Sequence, residues 1–157
     1  MTSHAIVYND DYPACFETHA TLRIMSGQVS PGRILEILQI EPDRSFSMGD
    51  RYGQNGSKIH RTNGWFWSTE TRVESRDTRR HIDTIIELLK GKTDAVRTLR
   101  SLGCQLDVMN FWIPASGNGG PAVEPRQMLW LGELDIALWW DIYNLKKTSA
   151  HSNEAFA

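Results

Sequence analysis

The chain has 157 residues, 40% of them hydrophobic and six of them Trp, enough to fill the core of one domain. A formal charge of −2 and a pI near 6.2 give no cationic field for nucleic acid or an anionic membrane, and accommodate a basic partner more easily. Two cysteines, Cys15 and Cys104, make no disulfide framework and no metal motif, and no stretch is apolar enough to span a bilayer.

Residues 1–17 show no period, and Asp10-Asp11-Tyr12-Pro13 reads as a turn, so they are expected to form an N-terminal arm or a short leading strand. The start also lacks a cationic region followed by an apolar run, so a cytoplasmic protein with reduced thiols is the expectation. From His19, apolar Ala20, Leu22 and Ile24 alternate with Thr21, Arg23 and Met25 as in a half-buried strand. Ser30 supplies an N-cap and Pro31 a first helical residue for a helix with Ile34, Leu35 and Leu38 on one face, ended by Pro42. Glu41 to Asn63 has no period and repeated turn signals at Gly49-Asp50-Arg51, Gly53 and Asn55-Gly56, which predicts a long functional or mobile loop.

Gly64 to Thr71 is predicted as a strand, with Trp65, Trp67 and Thr69 on one face and Phe66, Ser68 and Glu70 on the other. Asp77 caps a helix with an Ile82, Ile85, Ile86, Leu89 stripe that stops at Gly91, and a second amphipathic stretch carries Val96, Leu99 and Leu102. A strand over Leu106–Ile113, the turn-rich run Ser116 to Gly120, a helix from about Glu124 to Gly132 and a strand over Ile136–Tyr143 follow. From Lys146 the composition predicts a disordered tail, 146–157, behind one domain over 18–145.

Strand, Ser/Gly turn, proline-led helix and strand thus occur twice. The fold class expected is α+β: two strand-helix-strand units forming a four-stranded, largely antiparallel, ferredoxin-like sheet, with an extra helical segment between the halves. The return strand of the first unit is taken to be Trp65-Phe66-Trp67.

The Ser30-Pro31 helix start, Met48-Gly49-Asp50, Gly64-Trp65-x-Trp67-Ser68, and Ser116 to Gly120 with Asp141-Ile142-Tyr143 resemble, in order and spacing, a bacterial family of domains of unknown function catalogued under the number 4279. The resemblance spans about Thr18 to Asn144. It implies a small single-domain bacterial protein, and transfers no chemistry. By analogy with other orphan domains that sit beside toxin genes, an immunity role enters as an expectation.

No catalytic set is readable. Ser116 to Gly120 lies where phosphate loops lie but lacks their Lys and Ser/Thr, and reads first as a turn, from which Asn118 could present its amide. The five His have no metal-ligand spacing, so neither a metal nor another cofactor is expected, and lone histidines are read as solvated. The run Arg72, Arg76, Arg79, Arg80, interrupted by Glu74 and Asp77, reads first as a solvated face, with an anion or nucleic-acid contact as the alternative; at a helix N-terminus it opposes the dipole, which a carboxylate or phosphate partner would relieve. Trp65 with Trp67, and Trp139 with Asp141 and Tyr143, share parities, so an aromatic sheet face competes with plain core packing.

The leading expectation is a non-enzymatic binding protein, an immunity-type inhibitor that meets a toxin-like or basic protein partner. Trp65, Trp67 and Tyr143 would be its anchors, with Asp50, Asp141 and Glu70 meeting basic groups and Ser68 beside them. The alternative is a sensor or enzyme for a small anionic ligand, with a pocket between the 49–56 and 116–120 loops where Arg51 binds the anion and Asp141 acts as acid or base. Single-stranded nucleic-acid binding on sheet aromatics ranks last, against the net negative charge. A membrane partner is not expected, and monomer and homodimer stay open.

Overall fold

The computed structural model describes residues 5–144. A long strand β1 (Cys15–Ser26) leads to helix α1 (Pro31–Leu38), the short strands β2 (Arg44–Phe46), β3 (Arg51–Tyr52) and β4 (Lys58–Ile59), and β5 (Asn63–Ser68). Helices α2 (Thr78–Leu89) and α3 (Thr93–Ser101) precede β6 (Gln105–Pro114), α4 (Pro125–Glu133) and β7 (Ala137–Ile142). The main sheet has the order β2-β5-β1-β6-β7, and β3 and β4 form a separate hairpin. The expected disordered tail lies outside the described residues.

The α+β class holds, but the sheet has five strands rather than four, and the return of the first unit is corrected. β5 is antiparallel to β1, with Leu22 opposite Trp67 and Ile24 opposite Trp65. The strand that runs parallel to β1 after α1 is β2, which is antiparallel to β5 on its far side. The first crossover therefore spans β1-α1-β2 with β5 inserted between its strands, whereas the second unit, β6-α4-β7, joins adjacent parallel strands. Three residues are too few to show a period, so β2 was hidden inside the predicted loop. The rest of that loop is ordered too, with His60 stacked between Phe46 and Tyr52 at 3.7 and 4.2 Å.

The predicted caps explain the helices. Ser30 Oγ accepts from Arg33 N at 3.2 Å ahead of Pro31, and Asp77 accepts from Arg79 N at 3.0 Å. All four helices put their apolar stripes into one cluster with Ala20, Leu22, Ile24, Trp65, Trp67, Leu106 and Val108, a single parity of the sheet. The opposite parity, including Arg23, Met25, Phe66, Met109, Phe111 and Trp139, carries no helix among the described residues.

The N-terminal arm is tied down over 7–12. Asn9 N donates to Asp77 at 2.8 Å, Tyr8 Oη donates to Asp83, and Arg79 donates to Val7 O. The arginine run finds the carboxylates that its dipole position calls for: Arg76 meets Asp11, Arg79 meets Asp77 and Glu124, Arg80 meets Asp10, and Arg72 meets Asp43.

Candidate functional site

The helix-free face is the strongest candidate, and its geometry is fixed by register. His19 on β1 lies opposite Phe111 on β6, and Phe111 lies beside Asp141 on β7. Aromatic rings form a row here: His19 on β1 stacks on Phe111 of β6 at 4.6 Å, and Phe111 meets Tyr143, the residue after β7, at 5.3 Å. Trp139 stands one pleat away on β7, 58% exposed, with Tyr143 at 51%. A hydrogen bond with Asp141 raises the Tyr143 phenol above its ordinary range. Asp141 itself has no Lys or Arg within salt-bridge distance among the described residues, and Arg23, on the same face, is held by Asp107 at 2.6 Å.

Several sequence-predicted site residues lie elsewhere. Trp65 is completely buried and Trp67 is 7% exposed, so neither is a surface anchor. Both lie on the parity that packs under the helices, and the Arg72 guanidinium covers the Trp67 ring at 4.5 Å. Ser68 lies on the helix-free parity but serves the strand end, its Oγ accepting from Glu70 N at 3.1 Å. Asp50 closes an exposed turn by accepting from Ser47 N, and Arg51 donates to Gly56 O at 3.2 Å. Asn118 is exposed in a turn that its carbonyl closes with Ser116 Oγ, and Tyr12 Oη donates to Gly120 O below it.

The two loops expected to frame a pocket are at opposite ends of the sheet. The 49–56 loop follows Phe46, which sits near the Ser26 end of β1, whereas 116–120 follows Pro114, paired with Cys15 at the other end. The 12 residues of β1 between them span roughly 36–40 Å. That pocket does not exist, and with it goes the pairing of Arg51 with Asp141.

A set that the sequence reading missed lies at the Cys15 end of the helix-free face. Glu17 and His19 are alternate residues of β1, and continuing the register that pairs Thr21 with Ser68 sets Glu70 opposite His19. One ligand-type atom from each of the three lies within 4.8 Å of the others. The only local signal was Glu17-x-His19 on a strand, because the third residue arrives by long-range pairing.

The backbone beside Glu70 is anchored from behind, while its side chain is exposed. Thr69 N donates to Ala20 O at 2.9 Å, and Thr69 Oγ1 accepts from Ala20 N and contacts Nδ1 of His81 at 2.7 Å. His81 Nε2 lies 2.9 Å from Ser75 O. A neutral ring with its proton on Nε2 satisfies both contacts. His81 is thus completely buried, not solvated, and burial lowers its pKa below the ordinary value.

Cys15 and Cys104 are buried free thiols. Burial pushes Cys15 up to about 11 and also raises Cys104, so neither is an activated thiolate.

A family model for a domain of unknown function, DUF4279, matches residues 16–145. The chain belongs to that family. The DUF4279 match begins inside β1 and runs past β7, so it takes in all of the sheet but Cys15, the aromatic row and the Glu17, His19, Glu70 set, and leaves out most of the arm. No curated protein and no solved structure matches the DUF4279 chain. No described helix is long and apolar enough to cross a membrane.

Proposed function

We propose that the protein is a non-enzymatic binding protein that holds an extended segment of a partner protein along β7, at the border of the helix-free face. One observation carries this reading. Among the described residues β7 is an edge strand of six residues, Ala137 to Ile142, with no Lys or Pro within it to blunt it and with Trp139, Ile142 and the following Tyr143 each more than half exposed. An apolar edge of this kind offers main-chain donors and acceptors for a sixth strand, and Trp139 and Tyr143 supply anchors of the type that dominate interface energies. Asp141, between them, has no Lys or Arg within salt-bridge distance among the described residues, and it selects a Lys or Arg on the incoming segment. In its most specific form the partner is a toxin and the protein its bacterial, cytoplasmic immunity-type inhibitor, acting by steric cover.

The test is to search the genes beside this one for a toxin-like product and to co-express the two, with growth rescue and the affinity of the purified pair as readouts. Trp139→Ala and Tyr143→Ala are expected to leave the fold intact and weaken binding about tenfold or more each. Unchanged rescue and affinity in the double variant, or tight binding of single-stranded oligonucleotides through the same face, would sink the proposal.

A further inference from the structure

We propose that Glu17, His19 and Glu70 form a binding site for one divalent first-row transition cation of the zinc or manganese type. The inference is independent of the docking role of β7. The set is a mixed imidazole and carboxylate donor group rather than an acidic patch, assembled from two antiparallel strands, and its three ligand-type atoms are mutually within 4.8 Å. Donors on a common ion at bonds of about 2.0–2.2 Å stand about 3–3.5 Å apart, so a small rotamer adjustment closes the set. Both glutamates are exposed and free to make that adjustment.

Three further features favour a cation here. The His19 ring plane is held by the Phe111 stack, 13° from parallel, which pre-orients the nitrogen ligand. Most carboxylates of the described chain have a Lys or Arg within 4.0 Å, whereas Glu17, Glu70 and the nearby Glu74 have none among the described residues. All three line the same cavity of about 440 Å³ as His19; its one arginine, Arg76, faces Asp11 at 3.4 Å.

Two carboxylates and a neutral imidazole balance the charge of a divalent ion. One nitrogen donor favours zinc, manganese or iron over magnesium and calcium, which prefer all-oxygen shells. Three protein ligands on the floor of an open cavity leave coordination positions for water or for a group on a bound molecule.

The experiment is titration of the metal-stripped full chain with Zn²⁺ and Mn²⁺ by calorimetry, with Co²⁺ absorption reporting the ligand set and Mn²⁺ line broadening in amide spectra locating the ion. One equivalent is expected, with broadening centred on residues 17–19, 69–70 and 111, and with a large excess of Mg²⁺ failing to compete. Glu17→Gln and Glu70→Gln change exposed side chains, so they test the site without threatening the fold, and each is expected to weaken binding about tenfold or more; His19→Ala is expected to abolish the Co²⁺ signal. Absence of saturable binding, or binding of unchanged affinity in the Glu17→Gln, Glu70→Gln double variant, would overturn the proposal, the latter by placing the ion elsewhere in the chain.

Discussion

Asp77 joins the arm, α2 and α4, so its removal should be costly far beyond one helix cap. It is 5% exposed, accepts from Arg79 N at 3.0 Å and from Asn9 N at 2.8 Å, and holds the Arg79 guanidinium at 2.6 Å. Burial alone would raise its pKa, but the bonds from the Arg79 side chain and the two amides outweigh this and hold it below the usual carboxylate range. In Asp77→Ala the lost cap costs about 1 kcal/mol and the orphaned Asn9 amide about another 1 kcal/mol. Arg79, left with Glu124 alone, adds about 1 kcal/mol more. A loss of about 3 kcal/mol is a substantial part of the roughly 5–15 kcal/mol that stabilises an ordinary domain. Asp77→Asn keeps an oxygen for the cap and gives up the charge, so about half that loss is expected.

Urea denaturation at fixed pH measures both variants, and hydrogen exchange at the Asn9 amide reports release of the arm. A loss below about 1 kcal/mol in Asp77→Ala, or Asn9 protection equal to wild type, would refute the reasoning, because the arm would then be held by other contacts.

The remaining predictions concern the core, the sheet edge and pH. His81 has a folded pKa below its unfolded value of about 6.5, so the unfolded chain binds more protons below that pH. Its contribution is therefore complete above about pH 6.5 and lost as pH falls through the folded value, and denaturation series from pH 7.5 to 5 should show a slope that His81→Gln reduces. Trp65→Ala should cost about 3–5 kcal/mol by opening a core cavity, while exposed Trp139→Ala should stay within about 0.5 kcal/mol of wild type; equal losses in thermal melts would contradict the assignment of the two strand faces. A Cβ at Gly64 would fall within the Phe46 ring, so Gly64→Ala should displace that ring from His60 and make the β3–β4 hairpin sensitive to proteolysis, with global stability changed by only about 1 kcal/mol; an unchanged cleavage pattern would mean that Phe46 does not order the hairpin.

Features encoded within a few residues were legible in the chain. The Ser30 and Asp77 caps, the proline starts of α1 and α4, the parity of β5 and the stripe of α2 all depend on neighbours in sequence, and each is found. What depended on partners distant in sequence was not legible. Alternation shows that Trp65 and Trp67 share a face, but their burial follows from pairing with Ile24 and Leu22, which the β5 sequence does not contain. Tyr8 to Tyr12 looks irregular because it is ordered by bonds to 76–83, and His81 looks solvated because Thr69 and Ser75 enclose it from outside its helix. Of the candidate site, Asp141 and Tyr143 were found, while Glu17 and His19 became meaningful only with Glu70 across the strand pair.

The central position of β1 has a consequence for how the molecule is made. Thr18 bonds to Phe111 93 residues later and Arg23 to Asp107 84 residues later, so β1 leaves the ribosome with one edge unmatched until β6 follows it. At roughly 5–20 residues per second that wait is about 5–20 s, long enough for an apolar nascent ribbon to find a wrong neighbour. A message that stalls before the codons of β6 would leave β1 open along that edge, and its product is the species on which holding chaperones should act.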